Sequence, residues 1–137
     1  MPARDLSGPL QKAVIERLKG DVMVSGIAGQ RAYEYVSANP VFPFTRCVTT
    51  IVTPFEATGG VKGSLVLLQV DTFTKEYGFS LVNRLNAAVA DCLHEAELAL
   101  EEGYTIDLNW IRTQVFGDPN EQGVNHGVVE FEALASV

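Results

Sequence analysis

The chain has 137 residues, 47% hydrophobic and 20% charged, an ordinary globular composition and enough for one domain that buries about two-thirds of its unfolded surface. No apolar run approaches the roughly 20 residues of a membrane helix, and Met1-Pro2-Ala3-Arg4-Asp5 lacks the charged-then-apolar order of a secretory signal, so synthesis in a cytoplasm is expected. The formal charge of -7 is unevenly placed: residues 1–84 carry nine Lys/Arg against seven acids, whereas residues 85–137 set Arg112 alone against ten acids. Such a second half repels phosphate and excludes nucleic-acid binding through the backbone. It suits either a solvated surface or a wall that DNA slides past.

The first predicted helix spans residues 8–19, with Ser7 as its cap, Pro9 in the first turn and Leu10, Ala13, Val14 and Leu18 as its apolar face. A shorter helix over residues 21–27 follows, capped by Asp21 and ended by Gly29. Residues 31–43 read as an irregular connection with room for a short edge strand, because Pro40 and Pro43 oppose a central one. A Thr/Val/Ile-rich strand over residues 44–52 leads through Gly59-Gly60 to a second strand over residues 62–74. The core of that strand, Ser64-Leu65-Val66-Leu67-Leu68-Gln69-Val70, is apolar on both faces, which predicts cover on both sides: helices on one, a partner chain or loop on the other.

The main helix is predicted over residues 77–96. Leu81, Leu85, Ala88, Val89, Cys92 and Ala96 form its apolar stripe, and Asn83, Arg84, Asp91, His94 and Glu95 lie opposite. Strands over residues 104–116 and 123–134 close the chain, joined by a turn containing Asp118-Pro119-Asn120. The order predicts an α+β fold: a four-stranded, mainly antiparallel sheet with two main helices packed on one face, an α/β sandwich in a single domain over residues 1–137.

No P-loop, GxGxxG, GxSxG or HExxH pattern is present, and no ligand spacing joins His94, His126, Cys47 and Cys92 into a metal site. The cysteines read as small buried hydrophobes; a disulfide is disfavoured in a cytoplasmic product. His94 reads as a surface residue and His126 as a strand residue hydrogen-bonded near the hairpin. The carboxylate pairs Glu95/Glu97 and Glu101/Glu102 sit at an exposed helix end rather than in the cleft that acid–base chemistry needs. Trp110 is a candidate interface anchor, with core packing as its plainer role. Neither an enzyme nor a cofactor nor a metal is expected.

Several short motifs fall in one order along residues 10–134. They are Leu10-Gln11-Lys12-Ala13-Val14-Ile15-Glu16-Arg17-Leu18, Gly29-Gln30-Arg31-Ala32-Tyr33, Phe42-Pro43-Phe44, Val70-Asp71-Thr72-Phe73-Thr74, Ala87-Ala88-Val89-Ala90-Asp91-Cys92-Leu93-His94, Asp118-Pro119-Asn120 and His126-Gly127-Val128-Val129-Glu130-Phe131. In this order the chain resembles the tail-terminator (tail-completion) proteins of long-tailed bacteriophages and of gene transfer agents. It departs from them at Phe73, where the family often carries tryptophan, and in its long loop over residues 54–63.

The resemblance implies a virion structural protein, made in the bacterial host cytoplasm and placed at the head-proximal end of a siphovirus-like tail. It would form a homo-hexameric ring that stops polymerisation of the tail tube and joins it to a head-completion (stopper/connector) protein. DNA would be only passing cargo, and no membrane is involved. Leu65, Leu67, Phe73, Trp110, Pro54, Phe55, Asp118 and Asn120 are the candidate inter-subunit or ring contacts, and Glu130 and Glu132 the candidate lumen acids. Other readings are a different ring-forming connector, a tube-like protein, or a small cytoplasmic binding module.

Overall fold

Residues 5–56, 62–100, 105–117 and 121–136 are described in a computed structural model of the chain. Two helices come first, α1 (Ser7–Gly20) and α2 (Val22–Ala28). The Leu10/Val14/Leu18 face of α1 is fully buried, as its spacing predicts. Its cap differs from expectation. Ser7 is the first helical residue; its hydroxyl, and its N–H donating at 2.9 Å, both lower the pKa of the Asp5 carboxylate. Asp21 does cap α2, accepting from Val24 N–H at 3.0 Å, and Gly29 ends it at φ 59°.

The sheet has six strands rather than four, in the order β1 (Ala32–Tyr33), β2 (Phe44–Glu56), β3 (Lys62–Lys75), β6 (Val124–Ser136), β5 (Thr105–Gly117), β4 (Glu97–Ala99). The four long strands match the predicted ones within a few residues and pair antiparallel throughout. The added strands are short edge pieces: β1 runs parallel to β2, and β4 antiparallel to β5. β4 lies where the main helix was expected to end. Helix α3 spans Ser80–Leu93 only, after a positive-φ Gly78 and before Glu95, which turns the chain at φ 57°. Glu95 N–H then donates to Leu108 O at 2.8 Å, and Glu97-Leu98-Ala99 joins the sheet.

All three helices cover one face of the sheet. Leu85, Val89 and Leu93 of α3 and the buried face of α1 meet Cys47, Val66, Leu68, Val70, Ile106, Leu108, Val129 and Phe131 in one core. Each fully buried Leu or Phe contributes about 1.5–3 kcal/mol over leaving it in water. Cys47 and Cys92 are free and buried. Burial, with the charges of Asp71 and Glu34, pushes the Cys47 thiol up to about 12, and burial raises Cys92 to about 11. Among the described residues no group of His, Cys, Asp or Glu is placed to hold a metal, and no helix is long and apolar enough to cross a membrane.

Candidate functional site

The opposite, outer face of the sheet carries the odd-numbered residues of β3 and the even-numbered residues of β6, because side chains alternate along a strand. Register places Phe44, Phe73, His126 and Phe116 directly opposite one another across four strands. Their rings form a continuous row. Phe44 stacks on Phe73 at 4.7 Å and Phe73 on His126 at 4.4 Å, with Phe116 6.0 Å beyond His126 and Phe42 5.2 Å beyond Phe44. Such pairs contribute about 0.5–1.5 kcal/mol each beyond their buried area.

Beside this row lies a buried carboxylate. Asp71 has no solvent exposure, yet Arg46 reaches its Oδ2 at 2.5 Å through Nη2 and 3.1 Å through Nε, and Gln69 donates to Oδ1 at 2.7 Å. His126 Nε2 stands 3.2 Å from Oδ1, at ion-pair distance though without good hydrogen-bond geometry. Burial alone would raise the Asp71 pKa; the approach of His126 and the Arg46 and Gln69 hydrogen bonds outweigh it, so the pKa is lowered and the group is held ionised. His126 is therefore a stacked member of this cluster, not the hairpin hydrogen-bonder expected. The His126–Asp71 pair is not served by Cys47 as a nucleophile, because Cys47 faces the core and keeps its proton to about 12.

On the helix side of the same strands, Thr72 Oγ1 donates to Asn86 Oδ1 of α3, both side chains being buried. This pair lies over Gly127, where a Cβ would come within 2.6 Å of Asn86 Nδ2 and closer still to Asn86 Oδ1 and Thr72 Oγ1. Asn125 donates to Gly78 O at 2.6 Å and Glu76 O at 3.2 Å, and the Glu76 carboxylate accepts Leu81 N–H at 2.8 Å, pinning the entry to α3.

The residues singled out from sequence divide between two surfaces. Leu65, Leu67, Phe73, Glu130 and Glu132 share the outer face, where Leu65 and Leu67 are half-buried between Thr53, Ile51, Leu134 and Glu132. Glu130 is ion-paired with Arg112, whereas Glu132 is exposed with no ion pair among the described residues. Trp110 lies on the helix side. It is 46% exposed rather than in the core, at the β5 bulge. Its backbone N–H donates to His94 Nδ1 at 3.0 Å and its indole N–H to Thr113 Oγ1 at 3.0 Å. Pro54 is exposed on the outer edge of β2. The Phe55 side chain, Asp118, Asn120, Glu101 and Glu102 lie outside the described residues.

Sequence reading gave no role to Arg46, Gln69, Asp71, Asn86, Phe116 or Gly127. The available signals were a charged residue inside the apolar run of β3 and an asparagine inside the apolar stripe of α3.

Comparison with known proteins places this arrangement. No curated protein matches the chain. Among solved structures, a chain from the virion of a native gene transfer agent particle superposes with TM-score 0.85 at 22% identity, covering 98% of this chain and 100% of that one, so the two share a fold. The family described as "Tail completion protein gp17" matches over residues 12–136, nearly the whole length, and the chain belongs to that family.

Proposed function

We propose that the chain is a structural virion protein that closes as a ring on the end of a polymerised tail tube, stops its growth and presents the joining surface to the head-completion proteins. Membership of the tail-completion family over residues 12–136 carries this reading, and the shared fold with a gene transfer agent virion chain agrees with it. The outer face is braced rather than reactive: stacked rings, half-buried leucines and a buried, ionised Asp71 paired with Arg46. In a ring the bulk of the helices favours the outside, where there is more circumference, and turns the outer face of the sheet toward the lumen. Exposed Glu132 would then face passing DNA and repel it. A closed ring follows from a heterologous contact whose rotation returns to its start, and six copies is the expected number.

Electron microscopy of particles from a producing phage or prophage that lacks this gene tests the reading. Filled heads beside detached, overlong tails are expected. Attached tails of normal length would refute it. A tube-like protein would instead leave no tails at all.

A further inference from the structure

The two outermost long strands are covered along only part of their outward edges. On β2, β1 pairs with Thr45 and Arg46 alone, and the Gln11 side-chain amide donates to Cys47 O at 2.6 Å. Pro54, in register with Ser64, offers no N–H to a further strand. On β5, β4 pairs with Thr105, Ile106 and Asp107, Glu95 takes Leu108 O, and His94 takes Trp110 N–H. What remains is residues 48–53 on β2 and residues 112–117 on β5, equal in length. Among the described residues no partner meets their outward backbone groups. The β2 stretch, Val48-Thr49-Thr50-Ile51-Val52-Thr53, is uncharged and β-branched throughout, and its Ile51 is 56% exposed. Left open, such an edge is an aggregation hazard that soluble proteins normally blunt with charge. It therefore calls for a specific cover.

We propose that residues 48–53 of one copy pair antiparallel with residues 112–117 of the next, so that the sheet continues from copy to copy; this rests on the ring reading above. Strand direction permits it. β2, β3, β6 and β5 alternate in direction, so β5 of a neighbour rotated into place runs opposite to β2. Length permits it as well. The covered ends lie at opposite ends of the sheet, β1 near the aromatic row and β4 far from it, so the free edges meet only when the next copy is displaced along the strands. The outward residues Val48, Ile51 and Thr53 then face Phe116, Gln114 and Arg112, and the extra residue of the β2 bulge at Thr49/Ile51 is taken up between the first two pairs.

Phe116 shares a row with Phe44 in its own copy but meets Val48 in the next. Each junction therefore climbs about four residues, roughly 13 Å, over four strands roughly 19 Å wide. That slope is a strand tilt of roughly 35°, within the range that closed barrels adopt. The stagger is thus about what closure needs, whatever the number of copies.

Cysteine cross-linking in assembled particles tests the pairing. A chain carrying both Ile51→Cys and Gln114→Cys cannot bridge internally, because the two edges stand about 14 Å apart across the sheet. The buried native thiols, held protonated to about 12 and 11, do not compete. Oxidised particles should give a ladder of covalent oligomers on a non-reducing gel, and particles carrying either single variant should not. No ladder from particles that contain the protein and show normal tails overturns the edge pairing and leaves the ring reading standing. A ladder from Thr53→Cys with Gln114→Cys but not from the first pair overturns the four-residue stagger. A gene-deleted strain with normal attached tails removes both proposals together.

Discussion

Gly127→Ala is the substitution whose cost follows most directly from the geometry. The new Cβ would stand 2.6 Å from Asn86 Nδ2 and nearer to Asn86 Oδ1 and Thr72 Oγ1, all on buried side chains. Contacts below 3 Å force a neighbour to move. Thr72 is fixed on a central strand, so Asn86 must swing away and break the Thr72–Asn86 hydrogen bond. Overpacking costs about 1–3 kcal/mol, and a buried polar group left without its partner costs about 1–3 kcal/mol more. The sum, about 2–6 kcal/mol, corresponds to a fall in melting temperature of roughly 7–20 °C for a chain of this size. Urea unfolding followed by circular dichroism reads it as a lower midpoint at unchanged slope. Adding Asn86→Ala should return part of the loss, because it removes the two Asn86 atoms from the clash and leaves only Thr72 Oγ1; the two substitutions are then strongly non-additive. A Gly127→Ala protein within about 0.5 kcal/mol of the parent would refute the close approach of α3 to β6, since surface-like tolerance is of that size.

Asp71→Asn keeps the shape of the cluster but removes the charge that Arg46 meets. Because Arg46 is partly exposed, the expected loss is discounted to about 2 kcal/mol at neutral pH. The folded-state pKa of Asp71 is lowered, so its contribution is present above the ordinary carboxylate value of about 3.9 and is lost as pH falls through the lowered folded value. The difference in urea midpoint between parent and variant should therefore hold near pH 7 and narrow as pH falls below the ordinary carboxylate value; a gap that does not narrow in acid contradicts the assignment. Charge reversal at Glu130 and Glu132 should cut DNA delivery by assembled particles several-fold while changing stability by less than about 1 kcal/mol, because the Arg112–Glu130 pair is a surface one. Unchanged delivery counts against a lumenal position.

What sequence could reveal here divides by range. The helices and the four long strands follow from local periodicity and turn chemistry, and those were legible to within a few residues. The short strand β4 was not, because the apolar stripe runs on to Ala96, whereas the chain leaves the helix at extended His94 and turns at Glu95, a non-glycine residue with positive φ. Trp110 read as a candidate interface anchor with core packing as its plainer role, and the sequence alone did not decide between them. Its alternation with Ile106 and Leu108 keeps it on the helix side, but it stands at the bulge that follows, where its ring is half-exposed. The Asp71 cluster was out of reach for another reason. Arg46, Gln69, Asp71 and His126 come from three strands, and their meeting depends on registers that no local pattern specifies.

That dependence also runs the other way, from cluster to register. A strand with one apolar face has its register set by burial, since a slip of one residue would expose every core side chain. β3 lacks this protection along Leu65-Val66-Leu67-Leu68, where either set of alternate residues would be acceptable to the core. The polar groups supply what the leucines cannot. A slip of one residue would drive Asp71 into the core, take Phe73 out of the stack between Phe44 and His126, and move Thr72 off Asn86 and Gly127. A buried ion pair adds little net stability against an apolar pair of the same size, and fixing a register is its best-attested use. The Asp71–Arg46 pair, placed at the end of β3 where the apolar alternation gives out, fits that role. It holds β2, β3 and, through His126, β6 in the single alignment that presents the aromatic row and the half-buried leucines together.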